Sequence, residues 1–485
     1  MPTRLNVKQL ALLLLLSAGA ILVHGYHPYI EDAEIYVPGI KKLLNPALYP
    51  FNAAFFTSHA HLTLFPNLIA GSIRITHVPF EWALLVWHFL SIFLLLLACW
   101  HLGRLCFRDP LAKWGGVALI ASLLTIPIAG TALYIMDEYL TPRSFSTPAA
   151  LFVIINVLEK KRERAALWAI FIAVIHPLMA VFAVSYAMLL WLANRRPRSI
   201  NASAALLMPF GLFPPMTEAY RVAIDRHSYF FILRWEWYEW LGICGPLGLL
   251  YLFQRIARRQ KLHCLGLLCR SLIIFGIFYF VVALVITIPP QFADLTKLQP
   301  MRSLHLLYVM LFIFTGGLLA QFALKNNIWR WLALFLPLCA GMFYAQRQSF
   351  PTTAHIEWPG VMSQNAWVQA FVWARDNTPL NAYFALNPDY MRLSGEDQHG
   401  FRAIAERSRL ADRTKDSGAV TMFPALAEIW LQQITAQNGW NHFAEQDFHR
   451  LENSYGVGWV ILESPENGRL SCPYHNDAVS ICRIH

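Results

Sequence analysis

The sequence predicts an α-helical polytopic membrane protein of about 11 transmembrane helices, followed by a small C-terminal extracytoplasmic α/β domain. The chain has 485 residues, of which 56% are apolar and only 14% charged. Soluble domains average roughly 45–50% apolar and about 25% charged residues. The apolar excess lies in residues 1–346, whereas residues 347–485 have an ordinary globular composition. These two ranges are the predicted domains.

The charge distribution supports this division. Residues 1–346 hold 28 of the 39 Lys and Arg but only 14 of the 29 Asp and Glu, so they carry +14 and the remainder −4. The basic residues form short clusters between hydrophobic runs, as the positive-inside rule expects of cytoplasmic loops. The net charge of +10 therefore indicates membrane topology, and a nucleic-acid partner is not expected.

The hydrophobic runs predict where the chain crosses the bilayer. The first run follows Arg4 and Lys8 and lacks a small-residue cleavage site, which indicates an uncleaved helix with a cytoplasmic N-terminus. Each span is assigned about 20 apolar residues, with allowance for short, tilted or broken helices. The predicted spans lie near 8–24, 82–103, 114–135, 145–158, 165–176, 177–193, 200–216, 241–254, 266–288, 303–324 and 328–346.

The soluble tail alternates helical and strand-like segments, which is typical of a small α/β domain. Helices are expected over residues 365–376, 424–437 and 444–454, and strands over 382–386 and 457–463. Cys472 and Cys482 flank a strand–turn–strand pattern. Outside the cytoplasm they would form a disulfide, and the alternative is two buried free thiols.

The first outer loop, residues 25–81, is unusually long and begins with the acidic sequence Glu31-Asp32-Ala33-Glu34. Its later apolar stretches predict interfacial helices that lie on the bilayer. At the membrane surface Asp32 and Glu34 could act as a general base or coordinate a divalent cation bound to phosphate, which leaves Mg or Mn open as a cofactor. The alternative is a solvated acidic turn.

Two further outer loops carry charged residues. Asp137, Glu138 and Arg143 share one short loop, in which the arginine could hold a phosphate while a carboxylate orients a hydroxyl. The alternative is an ion pair that caps the helix after Pro142. In the loop at 291–302, Lys297 and Arg302 are phosphate candidates, although Arg302 could simply extend toward the membrane surface.

Short motifs add a resemblance. Residues 373–384 (WARDNTPLNAYF), 407–412 (RSRLAD) and 455–460 (YGVGWV) are similar to tail segments that follow the last span in bacterial members of the GT-C superfamily of integral-membrane glycosyltransferases. The order of a first span, a long acidic outer loop, some ten further spans and an extracytoplasmic domain also resembles that superfamily.

The resemblance implies transfer of a sugar from a polyprenyl-phosphate carrier to a glycan, lipid or protein acceptor. It implies a bacterial inner membrane location with a periplasmic C-terminal domain, and inversion at the sugar carbon. Asp32 is the closest match to the catalytic carboxylate and Glu34 the next, with Asp137 and Glu138 in support. Arg143, Arg302 and Lys297 are assigned to the lipid phosphate.

The first loop reads Glu-Asp-Ala-Glu, whereas the commonest pattern of the superfamily is an adjacent Asp-Glu or an Asp-x-Asp. The essential carboxylate and the metal requirement therefore stay open. A non-enzymatic lipid-glycan transporter, or a scaffold subunit of a polysaccharide or envelope assembly complex, is the alternative. A transporter is expected to place charges at midmembrane depth, whereas 11 of the 14 acidic residues in 1–346 lie in the predicted outer segments.

Overall fold

The structure, a computed structural model, describes residues 5–193, 216–463 and 470–484. All but the last position of the predicted span near 200–216 lies outside the described residues.

The membrane part contains fourteen of the helices described. They are α1 Val7–His24, α2 Ala33–Leu44, α3 Ala54–Leu62, α4 Phe65–Thr76, α5 Phe80–Cys106, α6 Pro110–Ser122, α7 Pro142–Leu158, α8 Arg162–Ile175, α9 Pro177–Ala193, α10 Glu218–Asp225, α11 Trp237–Arg259, α12 His263–Thr287, α13 Leu304–Leu319 and α14 Ile328–Ser349.

Within the described residues, six helical segments are long and apolar enough to cross a membrane. They are Val7–His24, Phe80–Cys106, Trp237–Arg259, His263–Thr287, Asp294–Leu324 and Ile328–Ser349, and each coincides with a predicted span. Two shorter apolar helices, Pro142–Leu158 and Pro177–Ala193, accompany them. The prediction of a polytopic membrane protein is thus confirmed, whereas the count of about 11 spans is not.

The predicted span at 114–135 is wrong in its second half, because helix α6 ends at Ser122. Pro127 disfavours helical geometry at the residue before it and has no N–H to donate. The chain instead folds back on itself, and Ile128 N donates to Leu133 O at 2.8 Å. The His24 side chain, at the end of α1, contacts Thr125 Oγ1 at 2.8 Å. This contact holds the turn against the end of α1.

Helices α6 and α13 cross at glycines. A Cβ atom on Gly115 would lie 2.2 Å from the carbonyl oxygen of Gly316, so neither position has room for a side chain. Small residues at a crossing let two helix backbones approach closely. Close packing of this kind promotes helix association in membranes, because lipid tails are apolar and the hydrophobic effect does not drive the helices together. The pair places the start of α13 next to the 123–141 loop.

The first outer loop folds into helices α2, α3 and α4. The apolar face of α2, with Val37 and Ile40, packs against Phe65 and Ile69 of α4. Helix α2 also contacts the C-terminal domain. The loop therefore lies between the membrane helices and that domain instead of resting on the bilayer alone.

The C-terminal domain has a five-stranded sheet in the order β2-β1-β3-β5-β4. Strands β1 and β2 are parallel, as are β1 and β3, whereas β5 runs antiparallel to β3 and β4. A disulfide joins Cys472 of β4 to Cys482 of β5. The strands are β1 Tyr383–Ala385, β2 Ser408–Arg409, β3 Trp459–Leu462, β4 Ser471–His475 and β5 Ser480–Arg483, and the helices are α15 Ala366–Asn377, α16 Phe401–Ala405, α17 Lys415–Met422, α18 Ala427–Ala436 and α19 Glu445–Tyr455.

A cluster of buried charges fastens α2 to this domain. Arg402 Nη1 and Nη2 each donate to Asp416 at 2.8 Å. Arg409 Nε donates to Glu34 Oε1 at 3.0 Å, and Arg409 also pairs with Asp412. We call these five residues the buried ion cluster. All five are almost completely excluded from solvent, so each charge depends on its partners in the cluster.

Candidate functional site

Asp32 stands at the turn that leads into α2. The preceding Glu31 adopts a positive φ of 53°, and its N–H donates to the carbonyl oxygen of Gln398 at 2.9 Å. The backbone N–H of Asp32 donates to the Tyr139 hydroxyl at 3.1 Å. The side chain makes no capping bond to its own helix, so the carboxylate is directed to other groups.

Two cations hold the Asp32 carboxylate. Lys415 Nζ, at the start of α17, donates to Oδ1 at 3.1 Å, and Arg143 Nη2 lies 3.4 Å from Oδ2. Burial alone would raise the pKa of Asp32, but the charges of Lys415 and Arg143 outweigh it and hold the pKa far below the usual range. Asp32 is therefore ionised throughout the neutral range, and its side chain remains 30% exposed.

Arg143 is itself positioned by Asp137. The guanidinium donates from Nε and Nη2 to Asp137 Oδ2 at 3.2 and 3.0 Å. Thr141 Oγ1 donates to the same oxygen at 3.0 Å. A guanidinium shared between two carboxylates has a fixed plane, so Asp137 orients Arg143 and Arg143 orients Asp32.

Lys415 has a second carboxylate partner, because its ammonium also pairs with Glu31. Burial would lower the pKa of Lys415, but Glu31 and Asp32 together raise it well above its usual value. The ammonium is thus permanently charged beside Asp32.

Glu138 lies next to Asp137 in sequence but has a different protonation state. Burial, followed by the charge of Asp137, raises the pKa of Glu138 to about 8. At neutral pH the side chain is mostly a neutral acid, which donates a proton and does not accept one. Of the four predicted carboxylates, Asp32 and Asp137 are the two that contact Arg143 in the described part of the chain.

Two cavities meet at Asp32. The larger has a volume of about 460 Å³ and is lined by Asp137, Glu138 and Lys415 among others. The smaller, of about 170 Å³, extends past His59 and His176. Both are lined by Asp32, Arg143, Tyr229 and Arg302.

Arg302 lies in the short turn Pro300–Ser303 that precedes α13. Its side chain lines both cavities, and its Nε atom is buried without a hydrogen-bond partner among the residues described. Arg143, by contrast, has two carboxylate partners. Arg302 is therefore a cation that lines both cavities and is available to an incoming anion.

The structure does not bring Glu34 and Lys297 to these cavities, contrary to their assignment from the sequence. Glu34 is completely buried, and its carboxylate accepts hydrogen bonds from Arg409 and from Ala403 N. Lys297 pairs with Asp294 at 3.0 Å, one helical turn away in its own segment. Helical geometry explains the first case, because Asp32 and Glu34 are two residues apart and point to different sides of the chain.

Sequence reasoning gave no catalytic or binding role to Lys415, and for the segment that begins at Tyr229 it favoured a membrane belt over a sugar-stacking platform. Lys415 contacts Asp32 across 383 positions of the chain, so no local pattern could join them. Tyr229 belongs to the aromatic stretch at 229–240, where aromatic residues are commonly membrane-belt residues. Its position on the wall of both cavities depends on the tertiary fold.

The donor set at Asp32 does not suit a divalent cation as it stands. Its carboxylate oxygens face an ammonium and a guanidinium, which would repel a metal ion at that position. Among the residues described, no group of three or more His, Cys, Asp and Glu side chains is arranged to hold a metal. We derive no reaction step through Mg or Mn.

Comparisons with known proteins give a distant structural likeness. No family model matches the sequence, and no curated protein matches it. Among solved structures the chain is similar to the archaeal oligosaccharyltransferase AglB from Archaeoglobus fulgidus in complex with an inhibitory peptide and a dolichol-phosphate. The identity is 13% and the TM-score 0.35, over 94% of this chain and 69% of that one. A likeness this distant carries no functional argument, so function rests on the side chains.

Proposed function

We propose that the chain is a GT-C-type glycosyltransferase that moves a sugar from a polyprenyl-phosphate carrier to an acceptor hydroxyl. One observation carries the proposal. An ionised carboxylate, Asp32, lines the same two cavities as Arg302, whose Nε has no hydrogen-bond partner in the described part of the chain. These cavities lie between the membrane helices and the C-terminal domain, where a lipid-borne phosphate and a polar acceptor can meet.

In the proposed reaction Arg302 binds the carrier phosphate. The bond between the sugar C1 and the phosphate oxygen breaks, and the leaving phosphate gains negative charge. A guanidinium placed where charge develops stabilises the transition state more than the ground state. Arg302 therefore supports departure of the carrier phosphate.

Asp32 acts on the acceptor. Its carboxylate accepts a hydrogen bond from the acceptor hydroxyl and takes the proton as the new bond from oxygen to C1 forms. Because the pKa of Asp32 is depressed by its two cations, beginning with Lys415, proton transfer comes late, after the hydroxyl oxygen has begun to bond to C1. Attack from the side opposite the phosphate inverts the configuration at C1.

Arg143 and Lys415 are positioning residues in this scheme. Their contacts with Oδ2 and Oδ1 fix the orientation of the Asp32 carboxylate. Positional control of this kind contributes through proximity and orientation. Glu138, as a neutral acid on the same wall, donates a hydrogen bond to substrate oxygens.

The remaining features of the proposal come from the resemblance to the GT-C superfamily and from the predicted topology. The protein is a multi-pass protein of the bacterial inner membrane, with its N-terminus in the cytoplasm and its C-terminal domain in the periplasm. The distribution of basic residues and the disulfide between Cys472 and Cys482 support that orientation. The acceptor is a glycan, a lipid or a protein.

Two substitutions test the site in the full chain reconstituted in nanodiscs, with a panel of radiolabelled polyprenyl-phosphate sugars as donors. Asp32→Asn should lower transfer by about 10²–10⁴-fold, the usual contribution of a general base, while polyprenyl phosphate still binds. Arg302→Lys should weaken binding of polyprenyl phosphate by roughly tenfold, because an ammonium cannot copy a bidentate guanidinium contact.

The matched controls are Asp225→Asn and Arg234→Lys, an exposed ion pair outside both cavities; both should retain wild-type transfer and binding. Wild-type turnover in Asp32→Asn would contradict the catalytic assignment. A wild-type protein that binds polyprenyl-phosphate sugars but transfers none of them would favour the transporter or scaffold alternative.

A further inference from the structure

A second group of cavities lies on the other side of the first loop. The larger member has a volume of about 640 Å³ and is lined by residues of the first loop, of the 357–363 segment and of α15. It adjoins a cavity of about 380 Å³ with which it shares Tyr29, Lys41, Glu81 and Arg375. We call the pair the rear cavity. Neither Asp32 nor Arg302 lines it.

A backbone wall separates the rear cavity from Asp32. Ile30 and His399 form an antiparallel bridge. On either side of it, Glu31 N donates to Gln398 O at 2.9 Å and Gly400 N donates to Tyr29 O at 2.8 Å. Tyr29 faces the rear cavity, whereas Glu31 and Asp32 line the cavity on the other side. The rear cavity is therefore a separate compartment.

The two cations that line the rear cavity are already paired with carboxylates. Lys41 Nζ lies 2.7 Å from Glu406, and Arg375 Nε lies 2.8 Å from Asp376. Glu357 contacts His399 at 3.1 Å. This compartment thus presents no counterpart of Arg302 among the described residues, and an anionic head group would find no unpaired positive charge there. Within the part of the chain that the structure describes, the Glu81 carboxylate on the same wall accepts hydrogen bonds from neutral donors alone, Gly360 N at 3.1 Å and the Tyr29 hydroxyl at 3.4 Å.

Its uncharged groups suit a sugar. The rings of Trp373 and Tyr474 lie 5.2 Å apart, and Trp358 is half exposed at the mouth. Tyr26 is completely buried, lines the cavity, and its hydroxyl has no hydrogen-bond partner among the described residues. Aromatic rings offer flat apolar surface to the C–H face of a sugar, while a buried, unpaired hydroxyl gains from a ligand that hydrogen-bonds it.

The mouth of the rear cavity is apolar. Val361 and Met362 are 70% and 82% exposed. They follow the bridge between Tyr26 and Ile356, which lies just beyond the ends of the spanning helices α1 and α14. Exposed apolar side chains close to the ends of spanning helices suit contact with lipid, so a ligand with an alkyl chain can rest there while its polar head enters the cavity.

We propose that the rear cavity binds the uncharged saccharide head group of a membrane-anchored lipid. The head stacks on the aromatic wall and hydrogen-bonds Tyr26, and the chain lies against Val361 and Met362. This binding goes beyond the transfer reaction and does not require it. Its test is a binding measurement that needs no turnover, so failure of one proposal is distinguishable from failure of the other.

The test compares three hexyl amphiphiles that differ only in the head group: hexyl maltoside, hexyl phosphocholine and hexyl tri(ethylene glycol). Binding to the full chain in phospholipid nanodiscs is measured by equilibrium dialysis, with protein-free nanodiscs as the blank. Hexyl maltoside should bind saturably and at least about tenfold more tightly than the other two. Arg302→Lys should leave this binding unchanged.

Two substitutions locate the site. Tyr26→Phe removes only the unpaired hydroxyl and should weaken hexyl maltoside binding by about 3–10-fold; Trp358→Ala removes part of the aromatic wall and should weaken it at least as much. The matched controls Tyr344→Phe and Trp329→Ala, exposed on α14, should have no effect. Equal binding of all three amphiphiles, no saturable binding, or insensitivity to both substitutions would overturn the proposal.

Discussion

Replacing Glu34 by glutamine separates a structural from a catalytic role for that carboxylate. The buried ion cluster holds two arginines and three carboxylates, and Glu34 accepts from Arg409 Nε and Nη2 at 3.0 and 2.9 Å and from Ala403 N at 3.1 Å. The substitution leaves two charges of each sign. The new side-chain amide can keep its carbonyl oxygen on Arg409, but its N–H₂ group then faces the N–H of Ala403.

The expected loss follows from that conflict. One buried donor left without an acceptor costs about 1–3 kcal/mol. A domain of 150–250 residues loses roughly 2–4 °C of thermal midpoint per kcal/mol, so a fall of about 2–12 °C is expected. Arg409→Met should cost more, about 3–5 kcal/mol, because it leaves three carboxylates with Arg402 alone.

The assay combines thermal unfolding, followed by intrinsic fluorescence, with transfer measured at a temperature at which both proteins are folded. Glu34→Gln should lower the midpoint yet keep transfer within about twofold of wild type. Glu445→Gln, at a side chain that is 38% exposed on α19, serves as the control. An unchanged midpoint with a hundredfold loss of transfer would refute the reasoning and return Glu34 to the chemistry.

Three further substitutions address the site and the membrane fold. Lys415→Met removes the ammonium that lies 3.1 Å from Asp32 Oδ1. The pKa of Asp32 should therefore rise, and the acid limb of the pH–rate profile should shift to higher pH. A profile identical to that of the wild type would contradict this. Glu138 has its folded pKa raised from 4.5 to about 8, so wild-type stability should fall as pH increases between these values, by up to about 5 kcal/mol. Glu138→Gln should remove this contribution, so the thermal midpoints at pH 5 and 8.5 should differ less in the variant than in the wild type. Gly316→Ala should reduce the yield of folded protein, because the new Cβ would lie 2.2 Å from Gly115 O. The control Gly341→Ala, with open space around its Cβ, should not. Equal yields of the two variants would contradict the close crossing of α6 and α13.

Hydropathy was enough to find the six long spans, because length and composition alone distinguish them from soluble helices. It failed at 114–135, where the apolar residues Leu123, Leu124, Ile128 and Leu133 are buried in a turn between helices. The alternation of helix and strand in the tail located α15, β1, α18, α19 and β3 to within a few residues.

The site was predictable only in part. Asp32, Asp137 and Arg143 could be named from short acidic and basic patterns in the outer loops, and the structure brings them together. Lys415 and the partners of Glu34 could not, because their contacts span 369 to 383 positions and depend on how the C-terminal domain docks on α2. Charge patterns indicate which residues are polar at a surface, but not which of them neutralise one another after folding.

The pairing of Asp32 with a lysine 383 positions later makes the order of synthesis matter. A growing chain inserts the first loop early, with Asp32 and Glu34 exposed and both their partners still unmade. Until α17 has been made and folded, the Asp32 carboxylate lacks the ammonium of Lys415 that orients it, and α2 lacks its contacts with the C-terminal domain. Chain completion thus acts as a checkpoint, because a copy that ends before α17 cannot form the cavity that Lys415 lines.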